Sequence, residues 1–206
     1  MSSSLTVHLL DVAATRALVG SGDDALLEAV RAASADDLAF FDEHFDYEIE
    51  RGAPTAYEAL RAVVHGGPFT ERKEYAFQYG YAYERLCSFT GTFLNNNCFT
   101  PHRGAWLSAV DEGIRALGIT AVSVESFCYG GLPDALPATH TPDCGEWSAE
   151  RIAEALEQYE TARRAAEETG HAPELGPEVE AAAMQCVDWM RQAVARPGHG
   201  LIGFRY

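Results

Sequence analysis

Residues 95 to 106, "NNNCFTPHRGAW", gather three asparagines, a thiol, an imidazole and a guanidinium immediately before a tryptophan. Thr100 is a good helix cap and Pro101 suits the first helical position, so a helix is expected to start here. Its amino terminus is the positive end of the helix dipole and leaves N–H groups unpaired. His102 and Arg103 in that first turn therefore call for a negative partner, either an internal carboxylate or a small anionic ligand. Asn96, Asn97, His102 and Arg103, with Tyr79 and Tyr83 of an aromatic helix, are the expected ligand-binding residues.

Two further patterns concern the same region. Cys98 and His102 are separated by three residues, as are His140 and Cys144. Thiolate and neutral imidazole are preferred zinc donors, so these four form one alternative, a structural zinc site. Cys98 with His102 is also a possible nucleophile and base pair. The leading reading involves neither, and expects no metal and no cofactor.

That reading begins with charge. The chain of 206 residues carries a formal charge of −16, which argues against nucleic acid and anionic membranes as partners, since phosphate binding needs clustered cations. Seven carboxylates, Asp36, Asp37, Asp42, Glu43, Asp46, Glu48 and Glu50, fall in one stretch without a cation. They form the expected partner surface for a basic protein, in a regulatory or toxin-neutralising role. No G-x-x-x-x-G-K-[ST], H-E-x-x-H or G-x-S-x-G is present, and "GHGLIG" at 198 to 203 lacks the following helix a dinucleotide site requires. A binding role is thus expected ahead of an enzymatic one.

The elements that must position these residues follow from local signals. "LTVHLL" (5 to 10) predicts a strand, with Asp11 capping the next helix and Gly20 ending it. A second helix starts at Asp24. Leu38, Phe41, Phe45 and Ile49 predict one helix over 35 to 51. Thr55 and Glu58 form a capping box. Tyr75, Tyr79 and Tyr83 step by four, beside a second row of Phe77 and Tyr81, in an aromatic helix. Residues 119 to 129 alternate and predict a strand, whereas 130 to 147 read as a long loop. Ser148 caps a long polar helix, Pro177 opens the last one, and "LIGFRY" predicts a closing strand. The fold class is α+β, one domain over 1 to 206, rich in helix with about three short strands near 5–10, 120–129 and 200–206.

Five cysteines without a C-x-x-C read as free thiols, and no apolar run reaches the ~18 residues of a membrane span. "MSSSLTVHLL" lacks a basic n-region and a following small-residue cleavage site, so the expected location is cytoplasmic. Lys73 is the single lysine among 15 cations, a usage that points to a high-GC bacterium.

The stretches "GAPTAYEALRAVVHGGPF", "AFQYGYAYERLC", "VDEGIRALGI", "YGGLP" and "VDWMRQAVARPGHGLIGF" resemble an uncharacterised actinobacterial domain-of-unknown-function family over nearly the whole chain. "WSAERIAEAL", followed by a helix and the short "GLIGF" strand, is similar to the YfbM-like bacterial family. The resemblance implies an α+β domain and supplies no catalytic set.

Overall fold

Two hydrophobic cores lie on opposite faces of a four-stranded antiparallel sheet. The computed structural model describes residues 2–206. In chain order the elements are β1 (Ser2–Ser3), β2 (Leu5–Leu10), α1 (Val12–Arg16), α2 (Asp24–Ala33), α3 (Ala35–His44), α4 (Asp46–Glu50), α5 (Ala56–His65), α6 (Phe77–Thr90), β3 (Thr92–Phe93), β4 (His102–Arg103), α7 (Trp106–Ala116), β5 (Asp143–Trp147), α8 (Ala149–Thr169), α9 (Pro177–Val194) and β6 (Gly200–Arg205). Short 3-10 turns occupy Lys73–Tyr75 and Val124–Cys128. The main sheet has the order β3-β2-β6-β5, and β1 pairs separately with β4.

Strand alternation sorts side chains between the two cores. Val7, Leu9, Leu201 and Trp147 face one core, closed by α7, α8 and α9 through Val110, Ile114, Ile152 and Trp189. Leu10, Ile202, Phe204 and Cys144 face the other, closed mainly by α5 and α6 through Leu60, Val63, Tyr83 and Leu86. Thr6, His8 and Tyr206 share the parity of Leu10 and Phe204, so they too belong to the α6 side.

Local chemistry sets most helix starts. Asp11 accepts from the N–H of Ala14 at 2.9 Å, Asp23 from Leu26 at 3.0 Å, and Ser148 from Arg151 at 3.3 Å. Thr55 and Glu58 make the reciprocal capping box, and Pro177 occupies the first turn of α9. Each satisfies or removes an N–H that the helix cannot pair internally.

The α+β class holds, but the sheets contain about six strands rather than three. Residues 120–129 are not a strand. Asp111 of α7, 2% exposed, takes the N–H of Val124 at 2.6 Å and of Glu125 at 3.2 Å, and the Ser123 hydroxyl at 2.5 Å. Those donors are spent on a side chain, and a turn replaces the ladder. The strand lies instead within the expected 130–147 loop, where β5 pairs Asp143 to Trp147 with Arg205 to Leu201. Gly145 permits this, since a Cβ there would stand 2.0 Å from the Ser126 carbonyl oxygen. The helix expected over 35–51 is broken at Phe45 into α3 and α4. The helix expected from Pro101 starts only at Trp106, because His102 and Arg103 pair as strand with Ser3 and Ser2.

Candidate functional site

A cavity of about 500 Å3 opens between α6, the α2–α3 junction and the β2–β3 side of the sheet. His8 is contributed by β2 and Phe93 by β3. Tyr81, Glu84 and Arg85 come from α6, Asp37 and Phe41 from α3, and Tyr206 follows β6. Exposed Asp37 and Ser88 lie toward solvent, whereas His8 and Arg85 form the interior. The α6 row Phe77, Tyr81, Arg85 steps by four, which carries the guanidinium to the same helix face as the aromatic rings.

Arg85 is 5% exposed. Its Nε donates to Asp37 at 2.6 Å, and its guanidinium lies 4.4 Å from the Phe41 ring centroid. Both terminal nitrogens are buried without a partner. They form the planar fork that matches a carboxylate or phosphate in bidentate fashion. Leaving each such group unpaired costs about 1–3 kcal/mol.

His8 is 3% exposed, between Phe93 and Phe204, each edge-on with centroids 6.2 and 6.3 Å away. Neither ring nitrogen has a protein partner. Burial lowers its pKa to about 4, so the ring is neutral at pH 7 and offers one donor and one acceptor. Glu84 lies beside Tyr206, whose ring stacks on Tyr81 at 5.9 Å. Burial pushes the Glu84 carboxyl up to about 7, against the opposing effects of Tyr206 and Arg85. Burial likewise raises the Tyr206 phenol. One cavity thus holds an anion-accepting fork, a neutral imidazole, a carboxyl poised near neutrality and several aromatic faces. Such convergence of buried polar groups in an apolar cavity marks a ligand site.

The family model described as "Domain of unknown function (DUF7691)" matches residues 1–206. The chain belongs to this family. No curated protein and no solved structure matches it. The whole-chain resemblance to a family of unknown function is therefore supported at that level.

In this family member the expected ligand-binding residues do not converge. The Asn96 amide donates to the Leu5 carbonyl at 2.6 Å and to the Thr100 hydroxyl at 2.9 Å, and so ties a loop to β2. Asn97 is exposed, its N–H held by the Asn95 side chain. Tyr79 and Tyr83 lie in the α6 core, on the sheet face opposite Cys98 and Phe99. The Tyr79 hydroxyl accepts from the Thr70 N–H at 2.8 Å. His102 and Arg103 do border a cavity of about 390 Å3 with Cys98, Trp106 and Glu178. The His102 ring is buried with both nitrogens unpartnered, its pKa lowered by burial and then by Arg205. Arg103 is exposed, and without a helix amino terminus at this point the anion-at-the-dipole argument loses its basis.

The four zinc candidates are not assembled. Cys98 packs against the α7–α9 core and Cys144 sits in the α6 core, while His140 is exposed on a separate groove. Among the described residues, no group of three or more His, Cys, Asp or Glu stands together as a metal would require. Burial also raises the Cys144 thiol to about 12, which opposes thiolate formation.

The acidic stretch is partly committed to the fold. Asp37 pairs with Arg85, and Asp42 accepts from the Ala56 N–H at 2.7 Å. Asp36, Glu43, Asp46 and Glu50 are exposed, and Glu48 is half-buried. The sequence reading missed His8, Glu84, Arg85 and Tyr206. The available signal was a polar residue at an inward strand position and a charge on an aromatic helix row.

Proposed function

We propose that the protein binds a small carboxylate-bearing molecule in the cavity between α6 and α3. The observation that carries this reading is Arg85, which lines a cavity walled by Phe41, Tyr81 and Phe93 and whose terminal nitrogens are buried without a partner. His8 would supply an orienting hydrogen bond, and the rings would cover the apolar part of the ligand. The test is a thermal-shift and calorimetric screen of aliphatic and aromatic carboxylates and amino acids on the wild type and Arg85→Met. At least one compound should bind the wild type and lose affinity by about a hundredfold in the variant, the 2–3 kcal/mol of a charge-assisted pair. If nothing binds in an Arg85-dependent way, the reading fails.

A second reading keeps the basic protein partner, in a regulatory or toxin-neutralising role. It is favoured by Phe40 and Tyr47, 62% and 60% exposed among the acids of α3 and α4. Exposed aromatics are common anchors of protein interfaces, although Tyr47 already carries the Arg51 guanidinium over its ring at 5.2 Å. Capture of a basic protein that survives Phe40→Ser with Tyr47→Ser and neutral versions of Asp36, Glu43, Asp46 and Glu50 would rule this face out. The free thiols and the single lysine support a bacterial, cytoplasmic setting, which fractionation of the native host would check.

A further inference from the structure

The cavity asks for a cation as well as an anion. Glu84 and Arg85 are consecutive on α6, and both line it. Arg85 directs its charge to Asp37 through Nε, and Glu84 has no ion-pair partner of its own among the described residues. The carboxyl lies instead beside the Tyr206 hydroxyl, and the Tyr206 ring stacks on Tyr81 at an interplanar angle of 5°. A carboxylate on the wall of a cavity that also carries tyrosine rings suits an ammonium group.

A simple carboxylate on the Arg85 fork would bring a second anion beside Glu84 and Asp37 and leave Glu84 with no cation. A simple amine would neutralise Glu84 and leave the guanidinium nitrogens unpaired. A ligand that carries both groups meets Glu84 and Arg85 at once. We infer that the ligand is a zwitterion of the α-amino acid class with an apolar side chain, its carboxylate on the Arg85 fork, its ammonium on Glu84 and its side chain among Phe41, Tyr81 and Phe93. This rests on the proposed carboxylate site at Arg85 and deepens it.

Proton linkage distinguishes the alternatives by sign. The groups that bear on Glu84 are Tyr81, Arg85 and Cys87 of α6, Asp37 of α3, Tyr206 after β6, and Cys144 of β5, with His8 of β2 lining the same cavity. Of these, Glu84 is the group poised to exchange a proton near pH 7, where its carboxyl sits at about 7. An ammonium favours the carboxylate form and expels the proton. A simple anion favours the protonated form and draws one in.

The experiment is titration calorimetry at pH 7 in buffers of different ionisation enthalpy. L-Phenylalanine, L-tyrosine, L-tryptophan and L-leucine are each compared with their des-amino carboxylate and their des-carboxy amine. At least one amino acid should bind tenfold or more tighter than both of its analogues, with release of up to about half a proton. Its des-amino carboxylate should take up as much as about half a proton. Glu84→Gln, nearly isosteric, should weaken the amino acid by tenfold or more, leave the carboxylate unchanged or tighter, and abolish both proton signals. If a carboxylate binds through Arg85 as tightly as its amino acid, the zwitterion is wrong and the carboxylate site stands. If the amine alone binds as tightly as the amino acid, or no amino acid of the set binds, the zwitterion is likewise overturned. If no compound binds in an Arg85-dependent way, the carboxylate site falls with it.

Discussion

Arg85→Met separates a functional cation from a structural one, because the two roles predict opposite changes in stability. The substitution removes the Nε bond to Asp37, whose side chain is 48% exposed and regains water. An ion pair with one such exposed partner is worth about 0–1 kcal/mol. The guanidinium–Phe41 contact is worth about 1 kcal/mol, and a thioether on the same ring recovers most of it. Against these losses stand two buried nitrogens without partners. Their removal returns about 1–3 kcal/mol each. The balance is a variant more stable by at least about 1 kcal/mol, with a rise of roughly 2–4 °C in Tm for each kcal/mol gained in a chain of this size. Urea unfolding at pH 7.5, with unchanged m, measures it. The same variant should lose carboxylate binding, as expected where a site is held strained for function. Arg205→Met is the contrasting case. Arg205 donates through Nε to Asp143 at 2.9 Å and clamps β6 to β5, so its loss should lower stability. If Arg85→Met is destabilising, toward the roughly 3–5 kcal/mol lost on breaking a structural buried pair, Arg85 is a fold residue and the cavity is not a ligand site.

Three further outcomes follow from the same packing. His8, held at about 4, contributes stability that is complete above its ordinary value of 6.5 and is lost as pH falls toward 4. Glu84, raised to about 7, contributes stability that is complete below 4.5 and is lost as pH rises toward 7. Between pH 4.5 and 6.5 the two slopes oppose one another. Relative to the wild type, stability should therefore rise with pH in Glu84→Gln and fall with pH in His8→Leu, by up to about 1.4 kcal/mol per unit in each case, as read by urea unfolding across that window. Asp111→Ala leaves three donors of the 123–125 turn unmet and should cost about 2–4 kcal/mol, measurable by chemical unfolding. Gly145→Ala drives a methyl group into the Ser126 carbonyl and the Phe127 backbone at 2.0 and 2.7 Å, where neither is a flexible side-chain end. A loss of roughly 3 kcal/mol or more, or failure to fold, is expected on thermal unfolding.

What was legible in the sequence was what local chemistry decides. The caps at Asp11, Thr55, Ser148 and the proline start at 177 are written in neighbouring residues, as is the period of the strands at 5–10 and 200–205. What was not legible depends on distant partners. The alternation of residues 119–129 resembles a strand until Asp111 claims its N–H groups from another element. "DCGEW" lacks a strand-like run of β-branched residues, and its place in the sheet depends on β6 and on a glycine thin enough to pass the Val124–Cys128 turn. The candidate site was hidden for a related reason. His8 and Arg85 sit where periodicity assigns core positions, so pattern alone absorbs them into the apolar rows of β2 and α6. Their significance appears only when the opposite walls prove to offer no partner to the His8 ring or to the terminal nitrogens of Arg85.

The overall charge bears on the site in a way that favours the zwitterion. At −16, the chain repels an approaching monoanion, and Asp37 and Glu84 repeat that repulsion inside the cavity, where screening over the ~8 Å Debye length is least effective. Arg85 must then overcome both for a simple carboxylate, with part of its own charge already given to Asp37. A molecule of zero net charge meets no such barrier. Its dipole aligns with the Glu84–Arg85 pair, so each end gains locally while the sum does not feel the field. An acidic protein with one buried guanidinium is a poor general anion trap and a selective receptor for a ligand that carries its own counter-charge.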